Sequence, residues 1–168
     1  MNRGVATDDF ATAVVGDMTL VLSTSETPYE IGKNFHFTTG TCLIYAEYIT
    51  ISDSLTFPGK DLGIFCYSLE VAKSVDVDVS GKSGSAGLPG TGAGEEGEAG
   101  SDGADAGNVW VFVQDFNEKI TQELRIKAFG GDGGRGGNST GPGKKGGDGG
   151  NGGNGGTHAC WELLVTHP

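Results

Sequence analysis

From Gly130 to Gly156 the chain reads GGDGGRGGNSTGPGKKGGDGGNGGNGG, with glycine at 16 of 27 positions and a Gly-Gly-X period over most of its length. Glycine has no side chain to bury, so this stretch cannot build an ordinary apolar core. It either packs backbone on backbone or stays a flexible linker. A second stretch, 81–107 (GKSGSAGLPGTGAGEEGEAGSDGADAG), holds ten more glycines at a looser Gly-X-Y period, and the two take 26 of the chain's 32. Whatever core exists comes from the residues around them, which suffice for one modest domain.

Those residues repeat. From Thr19 short alternating segments carry the strand period. A shift of 20 sets Ile44 on Ile64, Tyr45 on Phe65, Ala46 on Cys66, Ile49 on Leu69, Ile51 on Val71, Leu55 on Val75 and Phe57 on Val77. The same shift sets Phe35 and Phe37 on Leu55 and Phe57. Across the first glycine stretch, a shift of 47 sets Val109, Val111 and Val113 on Leu62, Ile64 and Cys66. A shift of 49 then sets Leu124, Ile126 and Ala128 on Val75, Val77 and Val79. A repeat of about 20 residues is one turn of a parallel β-solenoid, whose inward side chains are buried on the turns above and below.

The texture of LIYAEYITISDSLTFPGK and LGIFCYSLEVAKSVDVDVSGK resembles the right-handed parallel β-helix proteins. The expected fold is therefore all-β, a short parallel β-helix of about four to five turns with two lateral glycine-rich insertions. As one domain over 1–168 it divides into an N-terminal cap (1–18), solenoid turns (19–80, 108–129 and 157–168) and insertions (81–107 and 130–156). An antiparallel sandwich would need hairpin turns that the junctions lack.

Both insertions leave after equivalent residues, Ser80 and Phe129, and return at equivalent ones, Asn108 and Thr157, so they are expected side by side. Each breaks its period once, at Thr91 to Ala93 and at Ser139 to Lys145, which makes four legs. In an extended threefold helix every third residue shares a face, so Gly-Gly-X offers two bare faces and Gly-X-Y one. The Gly-Gly-X legs are expected inside a bundle and the Gly-X-Y legs outside, with Glu95, Glu98 and Asp102 in water. This composition resembles the polyglycine-II layers of some phage tail-fibre tips and of a glycine-rich antifreeze protein. A collagen triple helix needs unbroken Gly-X-Y and is disfavoured by the break at Thr91.

With 22 acidic and 11 basic residues the formal charge is −11, which argues against nucleic acid or an anionic membrane surface as partner. No apolar run reaches a membrane-spanning length, and the N-terminus MNRGVATDDF lacks a secretory pattern. An extracellular or cell-surface location is favoured nonetheless, within a longer chain. Expected partners are neighbouring segments of that chain, self-association at an open solenoid end, or glycans. Cys42, Cys66 and Cys160 share no zinc spacing and are expected as buried thiols without a disulfide framework.

Candidate sites are few. Tyr45, Phe65 and Phe112 fall one above another facing outward, and Trp161 extends that ladder under a shift of 49, or turns inward under one of 50. The ladder suits sugar rings, a partner, or cover by another part of the chain. The bend carrying Ser139, Thr140, Lys144 and Lys145 is a second speculative binding point. Asp76 and Asp78 point outward where carboxylates could hold calcium or attack a polysaccharide, but Arg125 and Lys127 fall on them, so ion pairs are simpler. His36, His158 and His167 form no triad. No catalytic residue, metal ligand set or cofactor is assigned, and calcium has weak support, because Gly-Gly-Asp triplets here lack the large apolar residue of calcium-binding repeats. The first expectation is a non-enzymatic structural or adhesive module of a surface, secreted or toxin-like protein. A carbohydrate-binding module comes second, and a polysaccharide lyase or hydrolase third.

Overall fold

The structure is a computed structural model that describes residues 10–116 and 118–162, the side chains of 160–162 excepted. Among the described residues it is all-β, with one short helix. The strands are β1 (Phe10–Val15), β2 (Met18–Ser23), β3 (Tyr29–Ile31), β4 (Thr41–Ile51), β5 (Leu55–Thr56), β6 (Asp61–Val71), β7 (Val75–Asp78) and β8 (Val109–Asp115). After them come helix α1 (Lys119–Glu123), β9 (Leu124–Lys127) and β10 (His158–Glu162). From β4 onward the chain alternates between two sheets. A seven-stranded sheet runs β1-β2-β4-β6-β8-β10, with β3 also on β4, and a three-stranded sheet runs β5-β7-β9. Every pairing is parallel except β1 with β2.

Between the sheets lies one apolar core. Along the larger sheet Val21, Ile44, Ile64 and Val111 succeed one another in register, each at most 3% exposed. Ile31, Ile51 and Val71 form a second buried row, and Val77 joins Leu55 from the smaller sheet. Branched side chains suit such rows because they pack well on a pleated surface. The polar exceptions satisfy each other: the buried Thr19 and Thr39 hydroxyls are 2.7 Å apart, and that of Thr39 donates to the Thr41 carbonyl.

The shifts of 20 and 47 in the large sheet, and of 49 in the small one, match the pairing residue for residue. One expected register is corrected. Leu55 pairs with Val77, not Val75, and Thr56 with Asp78, a shift of 22. The corner before β7 uses two extra residues, and Ser54 Oγ accepts the Asp76 N–H there at 3.0 Å. A slip of two keeps every side chain on its own face, so apolar alternation cannot detect it. Helix α1 is a second departure. In register it replaces the last part of the strand seen in β6, and Ile120, at 3% exposed, fills the place that the strand would fill. Of the segment taken as a cap, residues 10–15 are strand β1, exposed throughout. Residues 1–9 lie outside the description.

Both glycine stretches leave the small sheet together and return to the large one together. Gly81 donates to the Phe129 carbonyl, while Asn108 bonds the Asp61 carboxylate on one side and Thr157 on the other. Between these points run four extended legs, 81–90, 95–107, 130–138 and 146–156, bonded at every third residue. Gly84 and Gly87 of the first leg donate to Asp132 and Arg135 of the third. Ser101 and Ala104 of the second donate to Ser85 and Lys82 of the first, and Gly100 and Gly103 to Asp148 and Asn151 of the fourth. Gly131, Gly134 and Gly137 of the third leg donate to Ala104, Ser101 and Glu98 of the second. Gly147, Gly150 and Gly153 of the fourth donate back to the third.

This pattern corrects the expected sorting of legs. The second leg, with Gly-X-Y sequence, and the third, with Gly-Gly-X, each bond all three others, whereas the first and fourth do not bond one another. Burial singles out the third leg, whose row Gly131, Gly134 and Gly137 is buried, whereas Gly97, Gly100 and Gly103 of the second are half-buried and Glu95, Glu98 and Asp102 are exposed as expected. A Cβ on Gly134 would lie 1.9 Å from the Ser85 carbonyl oxygen, and one on Gly100 2.1 Å from that of Gly134. Real Cβ atoms do not come that close. Only glycine allows backbones to approach in this way.

Candidate functional site

The outer face of the large sheet carries the aromatic ladder. Tyr45, Phe65 and Phe112 occupy successive strands at one register position, and parallel stacking sets their rings in line. Tyr45 lies 4.5 Å from Phe65 with 8° between planes, and Phe65 lies 5.0 Å from Phe112 with 6°. The Trp161 Cα pairs with that of Phe112, which settles the backbone shift at 49; its side chain lies outside the description. At the other end Leu22, 44% exposed, pairs with Tyr45.

Beside the ladder runs a groove of about 540 Å³ in which Leu22, Tyr67 and Cys66 join the aromatic rings. Leu22 and Tyr67 escaped notice in the sequence. The connection from β2 to β4 breaks the 20-residue spacing, and Tyr67 is carried outward in a strand whose neighbouring residues alternate without a clear pattern. Burial pushes the Cys66 thiol up to about 12 and that of Cys42 up to about 11. Both are free thiols, inert at neutral pH.

Ring orientation decides what the ladder can do. A sugar stacks on the face of an aromatic ring, yet both faces of Phe65 are covered, one by Tyr45 and one by Phe112. The groove therefore presents ring edges, and the stack itself contributes stability, about 0.5–1.5 kcal/mol per aromatic pair beyond area burial.

The bend residues lie at the far tip of the legs and are tied to one another. Ser139 Oγ donates to the Lys144 carbonyl at 3.0 Å, and the Thr140 hydroxyl donates to the Gly92 carbonyl on the neighbouring bend. The Thr140 N–H reaches the Glu95 carbonyl. A Glu95 carboxylate oxygen accepts the N–H groups of Thr91 and Gly92 at 3.0 and 2.8 Å, and these bonds hold its pKa below the usual carboxylate range. Lys145 pairs with Asp148 at 2.8 Å on the surface. The two bends brace each other, and the aromatic ladder is a separate feature on the large sheet.

Asp76 is likewise engaged. Arg125 Nε and Lys127 Nζ lie 2.6 and 2.8 Å from its two oxygens, and these bonds lower its pKa. Asp78 lies opposite Lys127 as expected, but its carboxylate accepts the Ser80 N–H at 2.9 Å while Lys127 reaches Asp76. His36 Nδ1 lies 3.0 Å from the Asn34 carbonyl, at the surface. Among the described residues no three His, Cys, Asp or Glu side chains converge on a common point, and no helix is long and apolar enough to cross a membrane. Comparison with known proteins found no matching family model, no matching curated protein and no matching solved structure.

Proposed function

We propose that this chain is a non-enzymatic structural or adhesive module: a short parallel β-helix carrying a lateral layer of polyglycine-II-like legs, working within a surface, secreted or toxin-like protein. The observation that carries this function is the use made of glycine. Row after row of glycines takes a neighbouring carbonyl at a distance that no other residue tolerates, so the stretches act as packing elements. In support of the β-helix stand the alternation of the chain between two parallel sheets and the stacked rows Val21, Ile44, Ile64, Val111. Supporting polyglycine II are the three-residue period of the bonds and the contact of each inner leg with three others.

A carbohydrate-binding role ranks second. Lys144 at the leg tip and the partial exposure of Tyr45 favour it, and the covered faces of Phe65 count against it. Polysaccharide cleavage ranks third, because the Asp76 carboxylate is already held by two cations.

Amide exchange in the intact chain tests the structural role. Slow exchange at Gly131, Gly134 and Gly137 is expected, and rapid exchange throughout 130–156 would defeat it. Glycan-array binding that disappears in Tyr45→Ala or Lys144→Ala would move the second role to first place. Turnover of an acidic polysaccharide, lost in Asp76→Ala, would replace both.

A further inference from the structure

On the third leg the side chains fall in one row, Asp132, Arg135 and Asn138, all exposed, while the glycine row Gly131, Gly134 and Gly137 beside it is buried. The side-chain row therefore points off the layer into water. Asn138 ends the leg, and the chain then turns through Pro142 and Gly143, whose φ is 76°. The Asn138 carbonyl accepts the Gly90 N–H at 3.1 Å, so its backbone is fixed. Among the described residues its side-chain amide has no hydrogen-bond partner.

Asn138 opens the triplet Asn138-Ser139-Thr140, in which a hydroxyl residue stands two places after an asparagine with no proline between. That is the acceptor sequence for an N-linked glycan. Of the chain's seven asparagines no other has serine or threonine at that spacing. Asn151 and Asn154 are also exposed but are each followed by two glycines, and the Asn108 side chain bonds Asp61 and Thr157. A glycan is bulky and hydrophilic, so it needs a surface position where it displaces no packing. The end of the third leg meets that need.

We propose that Asn138 is an N-glycosylation site. The inference rests on the secreted or surface part of the function proposed above, because the acceptor triplet is used in secreted chains. In the transfer Asn138 Nδ2 bonds the anomeric carbon of an oligosaccharide carried on a lipid diphosphate. The bond from that carbon to the diphosphate oxygen breaks, and Nδ2 gives up one proton. In the folded chain the Thr140 hydroxyl donates to the Gly92 carbonyl and the Thr140 N–H to that of Glu95. The triplet is thus tied down once the two bends meet, which sets the transfer before that closure. The glycan then stands at the far tip of the legs, close in sequence to Lys144 and Lys145, and keeps that tip in water.

Mass spectrometry of the chain isolated from its natural source tests this. The peptide containing Asn138 is expected to carry a glycan that peptide N-glycosidase removes, leaving aspartate, with Asn151 and Asn154 unmodified. The full chain secreted from eukaryotic cells behind a cleavable leader is expected to carry the same glycan. Asn138→Gln and Thr140→Ala abolish it, whereas Thr140→Ser, which keeps a hydroxyl, and Asn151→Gln retain it. A bare Asn138 in the natural chain overturns the proposal. If the leader-directed chain is nevertheless modified, the secreted reading has failed; if it too is bare, the acceptor site has failed. Slow amide exchange at Gly131, Gly134 and Gly137 in either case leaves the structural role of the legs standing.

Discussion

A Cβ placed on Gly134 would lie 1.9 Å from the carbonyl oxygen of Ser85, whereas one on Gly149 would meet nothing closer than the Gly134 oxygen at 3.6 Å. Both residues belong to Gly-Gly-X triplets of one stretch, and only the first is locked in.

Gly134→Ala therefore forces two backbones apart. It is expected to destabilise by about 1–3 kcal/mol or more, read as a fall in melting temperature. Gly149→Ala is expected to change stability by no more than about 1 kcal/mol, with a gain within reach, since alanine narrows the unfolded ensemble. Equal losses in the two variants would show that the legs are not packed as described.

The pair of cations on Asp76 predicts a pH dependence. Its pKa is lower folded than unfolded, chiefly through the bonds from Lys127 and Arg125. Its contribution is therefore present above the unfolded value, near 4, and lost as pH falls through the folded value. Denaturant midpoints measured from neutral pH into acid should fall less steeply in Asp76→Asn than in the unsubstituted chain. Parallel curves would show that the ion pairs carry no stability.

Phe65 stacks on two rings at once, so Phe65→Ala removes both contacts and leaves Tyr45 and Phe112 unsupported. A loss of about 1–3 kcal/mol is expected from the two aromatic pairs. Phe65→Leu should recover part of it by restoring apolar area. A melting temperature unchanged in Phe65→Ala would mean that the ladder does not contribute to the fold.

Much of the large sheet was legible. Ile44, Ile64 and Val111 recur at shifts of 20 and 47 because a buried row needs an apolar residue from each strand, and the pairing follows those shifts. The small sheet was less so: Leu55 opposite Val75 and Leu55 opposite Val77 bury the same side chains, and only the corner at Ser54 distinguishes them. Helix α1 left little trace in QDFNEKITQE, where Ile120 is the one buried anchor. At the candidate site the stacking of Tyr45, Phe65 and Phe112 followed from the repeat. The covering of ring faces did not, because period two sets the side of a sheet and not the tilt of a ring.

The sequence by itself determined that the two stretches break into four legs, that they leave and rejoin at equivalent residues, and that every third position is bare. Only the tertiary structure decided which legs lie inside, which glycine row is locked and which stays open. Backbone hydrogen bonds carry no side-chain code. Gly133 and Gly149 each open a Gly-Gly-X triplet, yet a Cβ on the first would lie 2.0 Å from the Gly150 carbonyl oxygen and one on the second would meet nothing closer than 3.6 Å.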